Sequence, residues 1–297
     1  MPIVKRKNPG VATYRLRYRA PYDFAALLAF FAKRAIAGVE TVDDKNYRRN
    51  FDVDGAAGRL RLIQSTNDAL RLTIEFPDKS RHADIAAHVR RMFDVDTDIA
   101  AVNRCLRADP RLKKFVRRHP GQRLPGGWDV FEVAIRAVLG QQISVAAART
   151  LARRLVEQFG QTITAVDGET IALFPTPDIL AEADVARIGL PRTRATTLNT
   201  IARAICDGRV SVRRDQSLED FVDSWTQLPG IGDWTAQYIA MRALSHPNAF
   251  PAADLILRQA FASDGKLIAL RELHAMAQAW QPWRAYAVLH VWRGQGE

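Results

Sequence analysis

Near residue 96 the apolar period of this chain changes from two residues to three or four, and it never changes back. A sheet face buries every second side chain and a helix face every third or fourth. The break therefore predicts a mainly α protein: a small N-terminal α+β domain, its antiparallel sheet packed on helices, followed by an all-helical region. In TYRLRY, Tyr14, Leu16 and Tyr18 alternate with Arg15 and Arg17; GRLRLI and ALRLTIEF continue the pattern through Leu60, Leu62, Leu70, Leu72, Ile74 and Phe76. These read as half-buried strands. Between them DFAALLAFFAKRAIAG reads as a helix capped by Asp23 and stopped by Gly38, and residues 81–94 as a second helix over the sheet. Beyond residue 96 strand signals vanish, and Pro/Gly punctuation separates candidate helices at 109–118, 129–139, 143–159, 178–187, 192–206, 218–227, 233–244, 254–262, 271–279 and 283–293. The expected domains are a basic extension (1–12), the α+β domain (13–95) and the helical region (96–297).

Charge narrows the partners. The formal net charge is +11 and the pI about 10.1. Residues 1–100 carry 18 basic and 13 acidic side chains, residues 101–200 carry 15 and 9, and residues 201–297 carry 10 and 10, so the excess is regional. Within 104–123 eight basic residues face one acid, Asp109. A run of that density is either solvated or turned toward a polyanion, and with this pI nucleic acid leads. No apolar run approaches the roughly 18 residues of a membrane span. The opening MPIVKRKNPG lacks the apolar stretch of a secretory leader, which points to the cytoplasm, beside the nucleoid. Cys105 and Cys206, 101 residues apart, make no metal-ligand spacing and read as buried reduced thiols. Two cysteines exclude a four-cysteine iron–sulfur cluster.

The stretch LPGIGDWTAQYIA, residues 228–240, interrupts helical sequence with one proline and two glycines. Ser217 and Asp220 make an S-x-x-D cap for a helix through Leu218, Phe221, Val222 and Trp225. Pro229 ends it, and Gly230 and Gly232 allow a tight reversal into the next helix. The first N–H groups of that helix have no internal acceptor and carry the positive end of its dipole, so they suit a phosphate. Such a hairpin grips a DNA backbone without reading sequence. An ordinary helical turn fits the same five residues. Trp234 and Tyr238, four apart, share one helix face; core packing is the default explanation for both, and for Trp292 in LHVWRG.

LPGIGDWTAQYIAMRAL, FPAADLILRQAF and WQPWRAYAVLHVW, in that order, resemble the helix–hairpin–helix DNA glycosylase superfamily, and within it the bacterial 3-methyladenine DNA glycosylase II of the AlkA type. PYDFAALLAFFAKRAIAGVETV and FEVAIRAVLGQQISVAAA extend the resemblance over roughly residues 14 to 293. On residues alone Asp254, 22 positions after Gly232, is a helix N-cap; the resemblance implies that it is the catalytic aspartate. Arg258, one turn on, and the helix end would then favour its charged form. Cleaving an N-glycosidic bond builds positive charge on the sugar, which a fixed anion stabilises, and the same group can orient water. The resemblance further implies a base pocket lined by Trp234, Tyr238 and Trp292, with Phe30 and Arg34 nearby. An aromatic face attracts a cationic alkylated purine by about 0.5–2 kcal/mol. It also implies DNA contacts by Gly230, Ile231, Gly232, Thr235, Gln141 and Gln142, the last filling the gap left by an extruded base. Trp234 stands where glycosylases with lyase activity carry a Schiff-base lysine, which implies a monofunctional enzyme. The implied partner is duplex DNA with damaged bases, bound by a monomer. No catalytic cofactor or metal is implied, only one structural monovalent cation on hairpin carbonyls.

Three residues depart from the family. Gln142 replaces a leucine and makes a less apolar plug. Asp233, which reads as a helix cap, puts an acid beside the phosphate site, and Arg293 replaces an aromatic after Trp292, which predicts a more cationic pocket edge. Two other readings stay open: a non-enzymatic helix–hairpin–helix module, and a glycosylase for another lesion class.

Overall fold

The computed structural model describes residues 10–66, 68–164 and 169–296. Five antiparallel strands form the N-terminal sheet in the order β1-β5-β4-β3-β2: β1 Gly10–Arg17, β2 Glu40–Val42, β3 Asn46–Val53, β4 Ala56–Thr66 and β5 Ala69–Phe76. The alternating residues set the register. Leu16 pairs with Leu70, Leu62 with Leu72 and Leu60 with Ile74, so one face is apolar and receives helices α1 (Phe24–Arg34) and α2 (His82–Met92). β1 begins at Gly10, inside the stretch expected as an extension; residues 1–9 lie outside the described residues. Asp23 caps α1 through the Ala26 N–H (3.0 Å). The helix ends at Arg34 rather than at Gly38, because Ala35 turns extended (ψ 132°) and sends Ile36 and Val39 into the helical core. Gly38 instead supplies the left-handed turn (φ 86°) that enters β2.

The helical region runs α3 Ile99–Arg107, α4 Pro110–Arg118, α5 Val130–Leu139, α6 Val145–Phe159, α7 Pro177–Glu182, α8 Arg192–Cys206, α9 Leu218–Thr226, α10 Asp233–Ala243, α11 Leu255–Ala260, α12 Leu270–Ala277 and α13 Arg284–Gly294. Three expectations need correction. The cysteines are not both buried: Cys105 is half-buried and Cys206, at the end of α8, is exposed. Strands do not vanish after residue 96: β6 Thr162–Thr164 and β7 Thr170–Ala172 form a small hairpin after α6. The span 178–187 is a six-residue helix followed by a separate 3₁₀ turn, Val185–Ile188, closed by Gly189 at φ 94°. Three-residue strands and one-turn helices are too short for periodicity to register.

A buried charge network joins the two units. Arg49 of β3, 3% exposed, donates to Glu132 of α5 and to Glu40 of β2, and Arg136 of α5 pairs with both carboxylates. Burial acts to raise the Glu40 carboxyl, but Arg136 and Arg49 outweigh it and hold it at about 2. The network closes only when sheet and helices are docked.

Candidate active site

Helices α9 and α10 form the hairpin that Pro229, Gly230 and Gly232 predicted. Ser217 caps α9 through Asp220 N–H (3.0 Å), and no side chain caps α10, whose N-cap is Gly232. The two glycines differ in use. Gly230 sits at φ 87° with its Cα against the side chain of Thr197 on α8; a methyl group there would overlap Thr197. Gly232 has an ordinary φ of −90° and open space around it. Gly230 thus lets the hairpin dock inward, and Gly232 leaves the helix mouth bare for an approaching anion. Ile231 and Thr235 are buried, each 4% exposed. Asp233 is exposed and begins α10, next to the cap position rather than in it.

The loop between α5 and α6 leans on this hairpin. Gln141 donates from Nε2 to the Gly230 carbonyl and to the Thr235 hydroxyl, both at 3.2 Å. Gln142, beside it, is exposed and left-handed (φ 59°). A non-glycine residue in that region costs about 1–2 kcal/mol.

Asp254 caps α11, with Oδ1 accepting from the Leu257 N–H (2.9 Å). Two indoles complete its coordination: Trp292 Nε1 donates to Oδ1 (2.9 Å) and Trp234 Nε1 to Oδ2 (3.2 Å). Arg258, expected to support this carboxylate, instead turns its Nε to the Ile268 carbonyl (3.1 Å). Two indole N–H groups stand where a cation was expected. Each is a hydrogen bond to a charged acceptor, the stronger class.

Asp254, Trp234, Tyr238, Trp292, Phe30 and Arg34 all line one cavity of about 370 Å³, whose inner wall includes Glu132 and Arg136 of the charge network. Trp234 and Tyr238 stack on each other, ring centroids 5.3 Å apart and planes 10° apart, and Tyr238 is 6.4 Å from Trp292. A planar base between two rings needs about 7–8 Å, so Trp234 and Tyr238 cannot sandwich one; they offer it their outer face and edges. Arg242 also lines the cavity, 4% exposed, its guanidinium carbon 4.6, 5.3 and 5.7 Å from the ring centres of Phe30, Tyr238 and Trp292. Arg34 lies 3.9 Å from the centre of the Phe30 ring. Protein cations therefore already occupy aromatic faces, which tempers the pull on a cationic base. Arg242 follows Tyr238 and Trp234 by four and eight residues, a helical spacing by which it could have been found. Arg293 goes the other way: it binds Asp23 and Gln122 (2.8 and 2.9 Å) and leaves the pocket edge.

Residues 13–129 match the family model of the AlkA N-terminal domain, and residues 135–285 that of the HhH-GPD superfamily base excision DNA repair proteins. The chain is 36% identical over 285 residues to a probable bifunctional transcriptional activator/DNA repair enzyme AlkA of Mycobacterium tuberculosis, covering 96% of this chain but only 57% of that one. It thus spans little more than half of that relative. With DNA-3-methyladenine glycosylase 2 of Escherichia coli it shares 32% identity over 287 residues, 95% of this chain and 98% of the other. The solved 3-methyladenine DNA-glycosylase from Archaeoglobus fulgidus has the same fold: TM-score 0.79 at 21% identity, over 94% of this chain and 96% of that one.

Proposed function

This chain belongs to the HhH-GPD superfamily of base excision DNA repair proteins, and on that premise we propose that it is a monofunctional DNA glycosylase that removes alkylated bases such as 3-methyladenine and 7-methylguanine from duplex DNA. The observation that carries this reading is the carboxylate of Asp254 held at the cavity wall by two indole N–H groups and one backbone N–H. The bare mouth of α10 grips the phosphates beside the lesion. Gln142 enters the stack, and the extruded base passes into the cavity against Trp234, Tyr238, Trp292 and Phe30.

As the bond from C1′ to the base nitrogen breaks, its electron pair leaves with the base and the sugar becomes cationic. Asp254 faces that charge and stabilises it. Water adds to C1′ and loses a proton to solvent or to the carboxylate, giving an abasic site. Alkylation at N3 or N7 makes the purine a better leaving group, so a permissive pocket suffices. The relative named DNA-3-methyladenine glycosylase 2 supports this lesion class. Hydrolysis without strand cleavage is supported by Trp234: its indole nitrogen donates to Asp254 and has no free lone pair with which to attack a sugar. A structural monovalent cation would rest on hairpin carbonyls, where the Leu228 oxygen accepts from the Ile231 N–H (3.0 Å) and keeps its second lone pair. The enzyme acts as a monomer on DNA in the cytoplasm.

The test is to incubate the purified protein with a methylated duplex and follow free base and strand breaks separately. Free base with breaks appearing only after alkali is expected. Duplex binding without base release would make the protein a binding module, and breaks without alkali, with a borohydride-trapped adduct, would make it a lyase.

A further inference from the structure

The basic run singled out in the sequence is not absorbed by the hairpin or the pocket. Seven of its eight cations lie on α3 and α4, where Arg104, Arg107, Lys113, Lys114, Arg117 and Arg118 are all exposed; the eighth, Arg123, is instead buried and donates to four backbone carbonyls. On α4 the buried side chains are Leu112, Phe115 and Val116. At about 100° per residue, the cations from Arg111 to Arg118 fill the arc opposite those three.

Two observations make this face more than a solvated surface. The acids nearby are spent elsewhere: Asp109 is buried and binds Arg111 (2.8 Å) and the Trp280 indole (2.7 Å), while Asp23 binds Arg293 and caps α1. None of the six cations makes an ion pair among the described residues. The second observation is position. Trp292 of α13 points to Asp254 in the cavity, whereas Gly294 faces Phe115 of α4 so closely that a methyl group there would overlap the ring. Two residues advance a helix by roughly 200°, so α4 packs on the side of α13 turned away from the cavity. The hairpin lies with the cavity, since Trp234 belongs to both.

The chemistry of the face selects its partner. No large exposed hydrophobic side chain lies between residues 99 and 118, so it lacks both the apolar half of a membrane-surface helix and the stacking aromatics of a single-strand groove. Cations alone, on a rigid helix, suit the phosphates of a duplex. We propose that the α3–α4 face is a second duplex-binding surface, so that one protein molecule holds two DNA segments at once, one at the hairpin and one behind α13. The proposal rests on the DNA glycosylase reading for its biological sense, though not for its measurement.

The experiment uses the full chain, two undamaged duplexes of about 25 base pairs labelled with donor and acceptor dyes, and the variant K113Q/K114Q/R117Q/R118Q. Energy transfer between duplexes is expected with the native protein and lost with the variant. The salt slope of binding to a single duplex in excess is expected to fall by about 2–4, since each phosphate contact contributes about 0.9. Single-turnover base release from a methylated duplex stays within twofold. The variant K113R/K114R, which keeps the charge, keeps the transfer. No transfer with the native protein, or transfer retained by the quadruple variant, overturns the proposal. So does displacement of the second duplex by polyglutamate as efficiently as by DNA of equal charge, which would make the face a site for acidic protein. Base release absent in both proteins, with transfer still following the four cations, would sink the glycosylase reading and leave this one standing.

Discussion

Replacing Asp254 by asparagine changes one atom of the site and removes one charge. Oδ1 now accepts from Trp292 and Leu257, and Oδ2 from Trp234. Asparagine can keep the first pair of bonds, but its amide then meets the Trp234 N–H with a donor against a donor. An unmade bond of this kind costs about 1–3 kcal/mol, so the variant should melt a few degrees lower and remain folded at 25 °C. The rate suffers more. A unit charge about 4 Å from a developing cation, at an effective dielectric near 20, contributes about 4 kcal/mol, or roughly a thousandfold at 1.36 kcal/mol per decade. The assay is single-turnover base release from a methylated duplex at saturating protein, with binding to a non-cleavable abasic duplex measured in parallel. Binding within about tenfold of native, with release slowed about a thousandfold, is expected for Asp254→Asn. Asp254→Ala should show the same rate and a lower melting temperature, since both indoles lose their acceptor. Release by Asp254→Asn within tenfold of native would refute the electrostatic argument.

Gly230→Ala should lower stability by more than the roughly 1–2 kcal/mol of a left-handed alanine, because its methyl also meets Thr197. Thr197→Ala in the same chain should recover part of the loss in a denaturant double-mutant cycle, and no recovery would place the strain elsewhere. Gln142→Gly relieves the left-handed backbone at φ 59° and removes the plug, so thermal melting should rise slightly while base release from paired lesions slows at least tenfold. Glu40 has an acid signature: its lowered pKa, about 2 against an ordinary 4.5, stabilises the fold fully above about pH 4.5, and that contribution fades as pH falls toward 2. Urea midpoints of the native protein should drop across that window more steeply than those of Glu40→Gln, which starts about 3–5 kcal/mol less stable at neutral pH because Arg49 and Arg136 lose a partner.

The sequence announced β1, β4 and β5 because their inward residues are all apolar. It hid β3, whose inward set is Tyr47, Arg49 and Phe51: an arginine at the centre breaks the alternation that marks a strand, and its ion pairs with Glu40 and with Glu132, 83 residues away, explain it. Helix α3 gives no separate signal in the sequence because its apolar set, Ile99, Val102 and Leu106, is short and its outer face merges with the basic run. The hairpin was legible from Pro229, which lacks the N–H a helix needs, and from Gly230, whose φ of 87° few other residues adopt. Asp254 was legible as a cap. Its indole partners were not, because sequence spacing shows which face a tryptophan occupies and not where its single N–H points. Arg258 and Arg293 misled for the same reason: each is near the site in sequence and turned away from it in space.

The two indoles that hold Asp254 are also walls of the cavity. Substitutions at Trp234 or Trp292 that reshape the room for a base will disturb the reacting centre in the same stroke, so these positions are poor places for a lineage to explore new lesions. Phe30 and Tyr238 line the same room without touching the carboxylate. Diversification of substrate range, in nature or in a mutant library, should run through those two rings and leave the tryptophans alone.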